Sequence, residues 1–157
     1  MKYETDIFLG ILTTTLIYGC VEPPDYPIEP VIEFVEMNRT QVIAQTIPED
    51  ANRALDTLII KFSFTDGDGD LGGGDTSNVF LIDSRLGNAG ETYFISAIPQ
   101  AGATNGISGE ITVMIPEIFC FPNSAPRDFM TYSIQIVDKA GHYSNIVQTP
   151  PIELICD

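Results

Sequence analysis

The octapeptide LIIKFSFT, Leu58 to Thr65, alternates in a way that only an extended chain can use. Leu58, Ile60, Phe62 and Phe64 fall on one face; Lys61, Ser63 and Thr65 fall on the other, with Ile59 the one apolar residue among them. A period of two marks a strand with one face buried. The same period recurs downstream. Tyr132, Ile134 and Ile136 alternate with Ser133 and Gln135, and Ile111, Val113 and Ile115 alternate with Thr112 and Met114. Ile152, Leu154 and Cys156 alternate with Glu153 and Ile155. Gly, Pro, Asn and Asp clusters separate these runs, as turns require. No long stretch carries the 3.6-residue period of an amphipathic helix. The pattern predicts an all-β chain with strands over 31–37, 41–46, 57–65, 78–84, 92–98, 108–115, 130–138 and 144–155. Seven to eight short strands with turn signals between them suggest a Greek-key β-sandwich. The Gly-, Asn- and Ala-rich segment from Arg85 to Gly109 is expected to decorate a sheet edge.

Two stretches add a family resemblance. Asp128-Phe129-Met130-Thr131-Tyr132-Ser133-Ile134 resembles the D-x-A-x-Y-x-C stretch of immunoglobulin-like domains. In that motif the tyrosine hydroxyl closes a corner of the sandwich. Ile134 stands where the motif has cysteine, and Phe62 where its partner cysteine is usual, so the resemblance implies an apolar pair in place of a disulfide. Phe80 is expected to substitute for the absent strand-C tryptophan. Asp138-Lys139-Ala140-Gly141-His142-Tyr143-Ser144-Asn145 resembles the D-x-A-G-N-x-S-N hairpin of bacterial immunoglobulin-like modules. The resemblance covers residues 31–157 and implies an immunoglobulin-like fold.

Directly after LIIKFSFT the chain reads DGDGDLGGGD, Asp66 to Asp75. Asp66, Asp68 and Asp70 have the 1-3-5 spacing of calcium loops, and intervening glycines permit a tight wrap. An EF-hand would need Gly at position six and Glu at position twelve. Leu71 and Ser77 stand there, and flanking helices are missing, so that motif is excluded. Cadherin-like modules and repeats of bacterial surface proteins carry similar aspartate runs. In the immunoglobulin-like arrangement the strands ending at Thr65 and Asp138 run the same way. Asp66 and Asp138 then meet at one pole, with Asp68, Asp70 and Asp75 in the same loop. Without a cation, each carboxylate pair 4–5 Å apart would cost about 3–4 kcal/mol at an effective dielectric constant of about 20. Hard oxygen donors suit Ca2+, which is expected to play a structural role, with extracellular-type affinity of about 10⁻⁴–10⁻³ M. The alternative is a solvated Asp-Gly turn whose charges point apart.

The N-terminus, MKYETDIFLGILTTTLIYGC, carries a twelve-residue, mostly apolar run from Ile7 to Tyr18. That is too short to span a bilayer, which takes about 20 residues, and suits a signal peptide. Ile17-Tyr18-Gly19-Cys20 resembles the lipobox of bacterial lipoproteins. The resemblance implies removal of residues 1–19 and lipidation of Cys20, which would hold the protein on a membrane rather than through it. The alternative is an ordinary secretory signal with an incidental cysteine. Residues 20–30 hold four prolines and read as a semi-rigid tether. Glu22 and Asp25 follow the lipobox. In some Gram-negative lineages acidic residues there direct lipoproteins to the outer face of the outer membrane, so the expected site is that membrane, facing the periplasm or the cell surface.

Of the other two cysteines, Cys120 and Cys156, an exported chain can make a disulfide, against the alternative of two buried thiols. The 157-residue chain has a formal charge of −15, from 7 basic and 22 acidic side chains. It should repel nucleic acid and anionic lipid. A Ser-His-acid triad needs a base near a nucleophile and a third group. The single His142, next but one to Ser144, has no evident third partner, and no Gly-rich phosphate loop precedes a helix. With the anchor that the lipobox resemblance implies, these readings predict a non-catalytic envelope module that binds or supports another molecule. The second expectation is an accessory glycan- or peptide-binding subunit of a surface complex. Tyr93, Phe94, Phe119, Phe121 and Tyr143 are candidates for its surface, although core or rim positions suit them as well.

Overall fold

The computed structural model describes residues 25–45, 56–73, 78–87, 90–96, 106–121 and 125–156. The lipobox with Cys20, the first part of the tether and Asp75 lie outside them. The described residues form ten strands and no helix. LIIKFSFT becomes β3 (Leu58–Asp66), with every second residue from Leu58 to Asp66 buried. It is the middle strand of a three-stranded antiparallel sheet between β1 (Val31–Met37) and β6 (Ile107–Ile115). Lys61 pairs across the outer surface with Glu36 at 2.8 Å. The register with β1 slips between Phe34 and Glu36, a bulge that turns Val35 out to solvent.

A four-stranded antiparallel sheet runs in the order β5 (Gly90–Tyr93), β4 (Val79–Asp83), β8 (Tyr132–Ile136), β9 (Val147–Gln148). A third sheet places β10 (Ile152–Ile155) between β2 (Gln41–Ile43), its parallel neighbour, and β7 (Arg127–Met130), its antiparallel one. The inward faces of all three sheets meet in one apolar cluster, which gives the molecule a sandwich-like build. Phe62, Leu81, Ile134 and Leu154 are all fully buried in it. Each such side chain contributes about 1.5–3 kcal/mol of burial.

Two expected strands are each broken in two. The sequence pattern predicts one strand over 130–138, but β7 ends at Met130 and β8 starts at Tyr132, in a different sheet. The segment 144–155 divides into β9 and β10 around Thr149-Pro150-Pro151. Prolines cannot donate to a ladder, so pairing stops there. The two breaks lie opposite one another. Tyr132 N donates to Thr149 Oγ1 and Thr149 N to Tyr132 O, both at 3.0 Å. Ser84 completes the corner: its N donates to Thr131 O and its Oγ accepts from Thr131 N. One long hairpin thereby bends out of one sheet into another. The 92–98 strand is also displaced: β5 starts at Gly90 and ends at Tyr93.

Phe62 and Ile134 both lie in the core, each with no exposed surface. Phe80 does not take a tryptophan's place there. Val79 and Leu81 point inward, and Phe80 lies half-buried on the outer face, 6.3 Å from the Tyr143 ring. Cys120 and Cys156 are joined by a disulfide with Cα atoms 5.7 Å apart. It closes a separation of 36 residues, which corresponds to about 3–4 kcal/mol of unfolded-state entropy. Backbone bonds from Cys120 N to Gln45 O and from Cys156 N to Pro126 O hold both ends.

Candidate metal centre

β3 and β8 deliver their C-terminal ends to one pole. There Asp66, Asp68, Asp70 and Asp138 each offer a carboxylate oxygen, and the four oxygens lie within 4.8 Å of one another. Asp66 is the last residue of β3 and keeps the inward parity of Phe62 and Phe64, so its carboxylate is buried. The chain then wraps back over it. Gly69 sits at φ 70° between Asp68 and Asp70, a conformation that costs an L side chain about 1–2 kcal/mol. Leu71, buried itself, donates its N–H to Asp66 Oδ2 at 2.9 Å. Asp66 Oδ1 is buried and has no hydrogen-bond partner, and the same holds for Asp70 Oδ1. Unpaired buried carboxylate oxygens are costly and are the arrangement a cation would satisfy.

Asp138 enters from the other strand, just after β8. Its side chain is fully buried, and its Oδ1 accepts from Gly141 N at 2.7 Å and His142 N at 2.8 Å. Gly141, at φ 93°, makes that tight turn possible. His142 Nδ1 lies 2.8 Å from Asp138 Oδ2. The electrostatics agree with a site short of positive charge. Burial, reinforced by the neighbouring Asp68 and Asp70 charges, pushes the Asp66 carboxyl up to about 6, against the opposing Leu71 N–H. Burial and then the charges of Asp138 and Asp68 push Asp70 up as well, against the backbone N–H groups of Lys139 and Ala140. The hydrogen bond to Asp138 raises His142.

The expected set of five carboxylates is thus represented by four; Asp75 lies outside the described residues. His142 joins the pole unforeseen: a second group of converging donors consists of Asp68, Asp138 and His142. The signal was the spacing of four across a Gly-containing turn, Asp138 to His142.

The end of the expected tether also reaches this pole. Gly67 N donates to Pro27 O at 2.8 Å, and a Cβ at Gly67 would come under 3.0 Å from the carbonyl oxygens of Tyr26 and Pro27. A Cβ at Gly106 would meet Asp66 O at 2.9 Å and the Tyr26 ring at 3.0 Å. Tyr26 and Pro27 are therefore packed on the domain, and the aspartate loop lies beneath them. Gly67→Ala is expected to push this segment off and to cost about 1–3 kcal/mol, read as a lower midpoint in urea unfolding.

Of the aromatic candidates, Phe94, Phe119, Phe121 and Tyr143 are exposed and Tyr93 is half-buried; none is in the core. Phe121 carries the Arg85 guanidinium over its ring at 4.9 Å. Among the described residues no helix is long and apolar enough to cross a membrane. Comparisons with protein-family models, curated proteins and solved structures gave no match.

Proposed function

We propose that the chain is a lipid-anchored lipoprotein of the cell envelope, held at the outer membrane through Cys20. Its immunoglobulin-like Greek-key domain is a non-catalytic binding or structural module, with Ca2+ stabilising the pole where the tether arrives. The observation that carries this reading is the buried, unpartnered Asp66 Oδ1 among four converging carboxylates. A chain of charge −15 gains more than most from placing a cation there. All-oxygen donors favour a hard ion. The packing of Tyr26 and Pro27 on the aspartate loop suits a module displayed in fixed orientation on a membrane tether.

Fractionation and lipid labelling test the anchor: the wild-type chain is expected in the membrane fraction with label, and Cys20→Ser in the soluble fraction without it. A Cys20→Ser chain that stays in the membrane would contradict the lipid anchor. Thermal melting in millimolar Ca2+ against chelator tests the cation. A higher melting temperature with Ca2+ is expected, and identical curves would remove the calcium from the proposal.

A second reading, an accessory glycan- or peptide-binding subunit, is favoured by one observation. A surface groove of about 270 Å³ crosses the outer face of the four-stranded sheet. Phe80 and Tyr143 supply aromatic faces in it, beside Gln135, Thr92 and Glu91 as polar partners. Sugar rings stack on such faces while their hydroxyls bond the polar rim. Glycan-array binding that is lost in Tyr143→Ala would support this reading over a purely structural one.

A further inference from the structure

We infer that the metal pole also takes a first-row divalent transition metal, with His142 as its nitrogen ligand, in competition with Ca2+. This rests on the reading of the pole as a cation site and names a second class of ion for it.

The pole contains two overlapping donor sets. Asp66, Asp68, Asp70 and Asp138 are all oxygen, whereas Asp68, Asp138 and His142 mix two oxygens with an imidazole nitrogen. Imidazole is a poor ligand for Ca2+ and a good one for Mn2+, Co2+ or Zn2+. His142 Nδ1 and Asp138 Oδ2 are 2.8 Å apart, so the nitrogen and an oxygen of the mixed set already stand side by side at the pole.

The turn that carries His142 is fixed independently of any ion. Both Gly141 N and His142 N bond Asp138 Oδ1, and Asp138 N donates to His142 O at 3.1 Å. The ring is held over the buried carboxylate while a third of its own surface stays exposed, so solvent can complete the coordination. The buried, unpartnered Asp66 Oδ1 is the independent sign that the cluster lacks a cation partner. Without an ion, Nδ1 and Oδ2 share a proton in a hydrogen bond; ligation replaces that proton with the metal. Because Asp68 and Asp138 belong to both sets, the two classes of ion exclude each other.

The test is calorimetric titration of the full-length chain with Co2+ and, separately, Ca2+, in wild type and His142→Gln. Expected are saturable Co2+ binding that Ca2+ competes away, Co2+ affinity at least tenfold weaker in His142→Gln, and Ca2+ affinity within about twofold of wild type. In the wild-type chain, Co2+ should also shift the His142 ring protons paramagnetically, a readout that needs no variant. Equal Co2+ affinity in the two proteins, with ring protons unshifted, would overturn the inference. A parallel loss of Ca2+ and Co2+ affinity would also overturn it, making His142 a residue that positions Asp138. Ca2+ binding without His142-dependent Co2+ binding would sink this inference alone. Absence of binding by either ion would sink the cation reading with it.

Discussion

Asp66→Asn is expected to abolish calcium's effect on melting while leaving the chelated protein as stable as wild type, or more so. The reasoning starts from burial. Asp66 ends a strand on its inward side, and only Oδ2 is paired, with Leu71 N. In the cation-free chain an ionised Asp66 faces the charges of Asp68 and Asp70 with only the Leu71 N–H to offset them. Asparagine removes that charge and offers N–H donors to the same neighbours. With Ca2+ present the balance inverts. At about 10 mM Ca2+, roughly 10–100 times a dissociation constant of about 10⁻⁴–10⁻³ M, binding stabilises by about 1.4–2.7 kcal/mol, which for a domain of this size raises the melting temperature by roughly 3–10 °C. The variant forfeits that rise. Melting curves of the two proteins should therefore cross in order between chelator and Ca2+. A variant that melts well below wild type in chelator and still responds to Ca2+ would show that Asp66 is a structural partner and not a ligand.

The same carboxyl sets a pH dependence. Its value is raised from the ordinary 3.8 to about 6 by burial and then by its acidic neighbours. Between those values the folded, cation-free chain keeps a proton that the unfolded chain has released. Stability in chelator should then fall as pH rises from about 4 through about 6, opposite to the behaviour of a salt-bridged carboxylate. Ca2+ binds the ionised form, so the calcium-dependent rise in melting temperature should grow over the same window.

The second large effect concerns a charge pair away from the carboxylate pole. Arg85 reaches back to Asp83, with Nη2 to Oδ2 at 2.6 Å and Nε to Oδ1 at 3.1 Å. Asp83 Oδ1 also accepts Arg85 N at 2.8 Å. Only 11% of the Arg85 side chain and 8% of the Asp83 side chain is exposed, with the Phe121 ring covering the guanidinium. Asp128 lies 3.6 Å away as a weaker second partner. Removal of one member strands the other as a buried charge. Asp83→Ala is expected to cost about 3–5 kcal/mol in urea unfolding, and the double variant Asp83→Ala/Arg85→Met distinctly less than the sum of the single changes. Additive single effects would show that the pair is not coupled in the way its geometry implies.

Much of this build is legible in the amino-acid order because two faces of a strand see different solvents. LIIKFSFT announces β3, and the inward parity continues to Asp66, which is why an acidic residue becomes buried. The convergence of Asp66, Asp68, Asp70 and Asp138 follows from two strands ending at one pole. Legibility fails where both parities are apolar. In Val79-Phe80-Leu81-Ile82, nothing in the residue types says that Phe80 faces out. The breaks at Thr131 and Thr149 arise from a bend shared by both arms of one hairpin and held by Ser84, distant in sequence, and only Pro150-Pro151 hints at it. The burial of Arg85 depends on Phe121 and Asp128, far along the chain. Cys20, Asp75 and residues 1–19 lie outside the described residues, and what is expected of them rests on the amino-acid sequence.

The most direct measurement of the central claim is calorimetric titration of the full-length chain with Ca2+ at neutral pH. The account predicts saturable binding of one ion with a dissociation constant of about 10⁻⁴–10⁻³ M, lost in Asp66→Asn and in Asp68→Asn. No heat at millimolar Ca2+, in a chain shown to be folded, would contradict it and leave Asp66 to Asp75 a solvated turn.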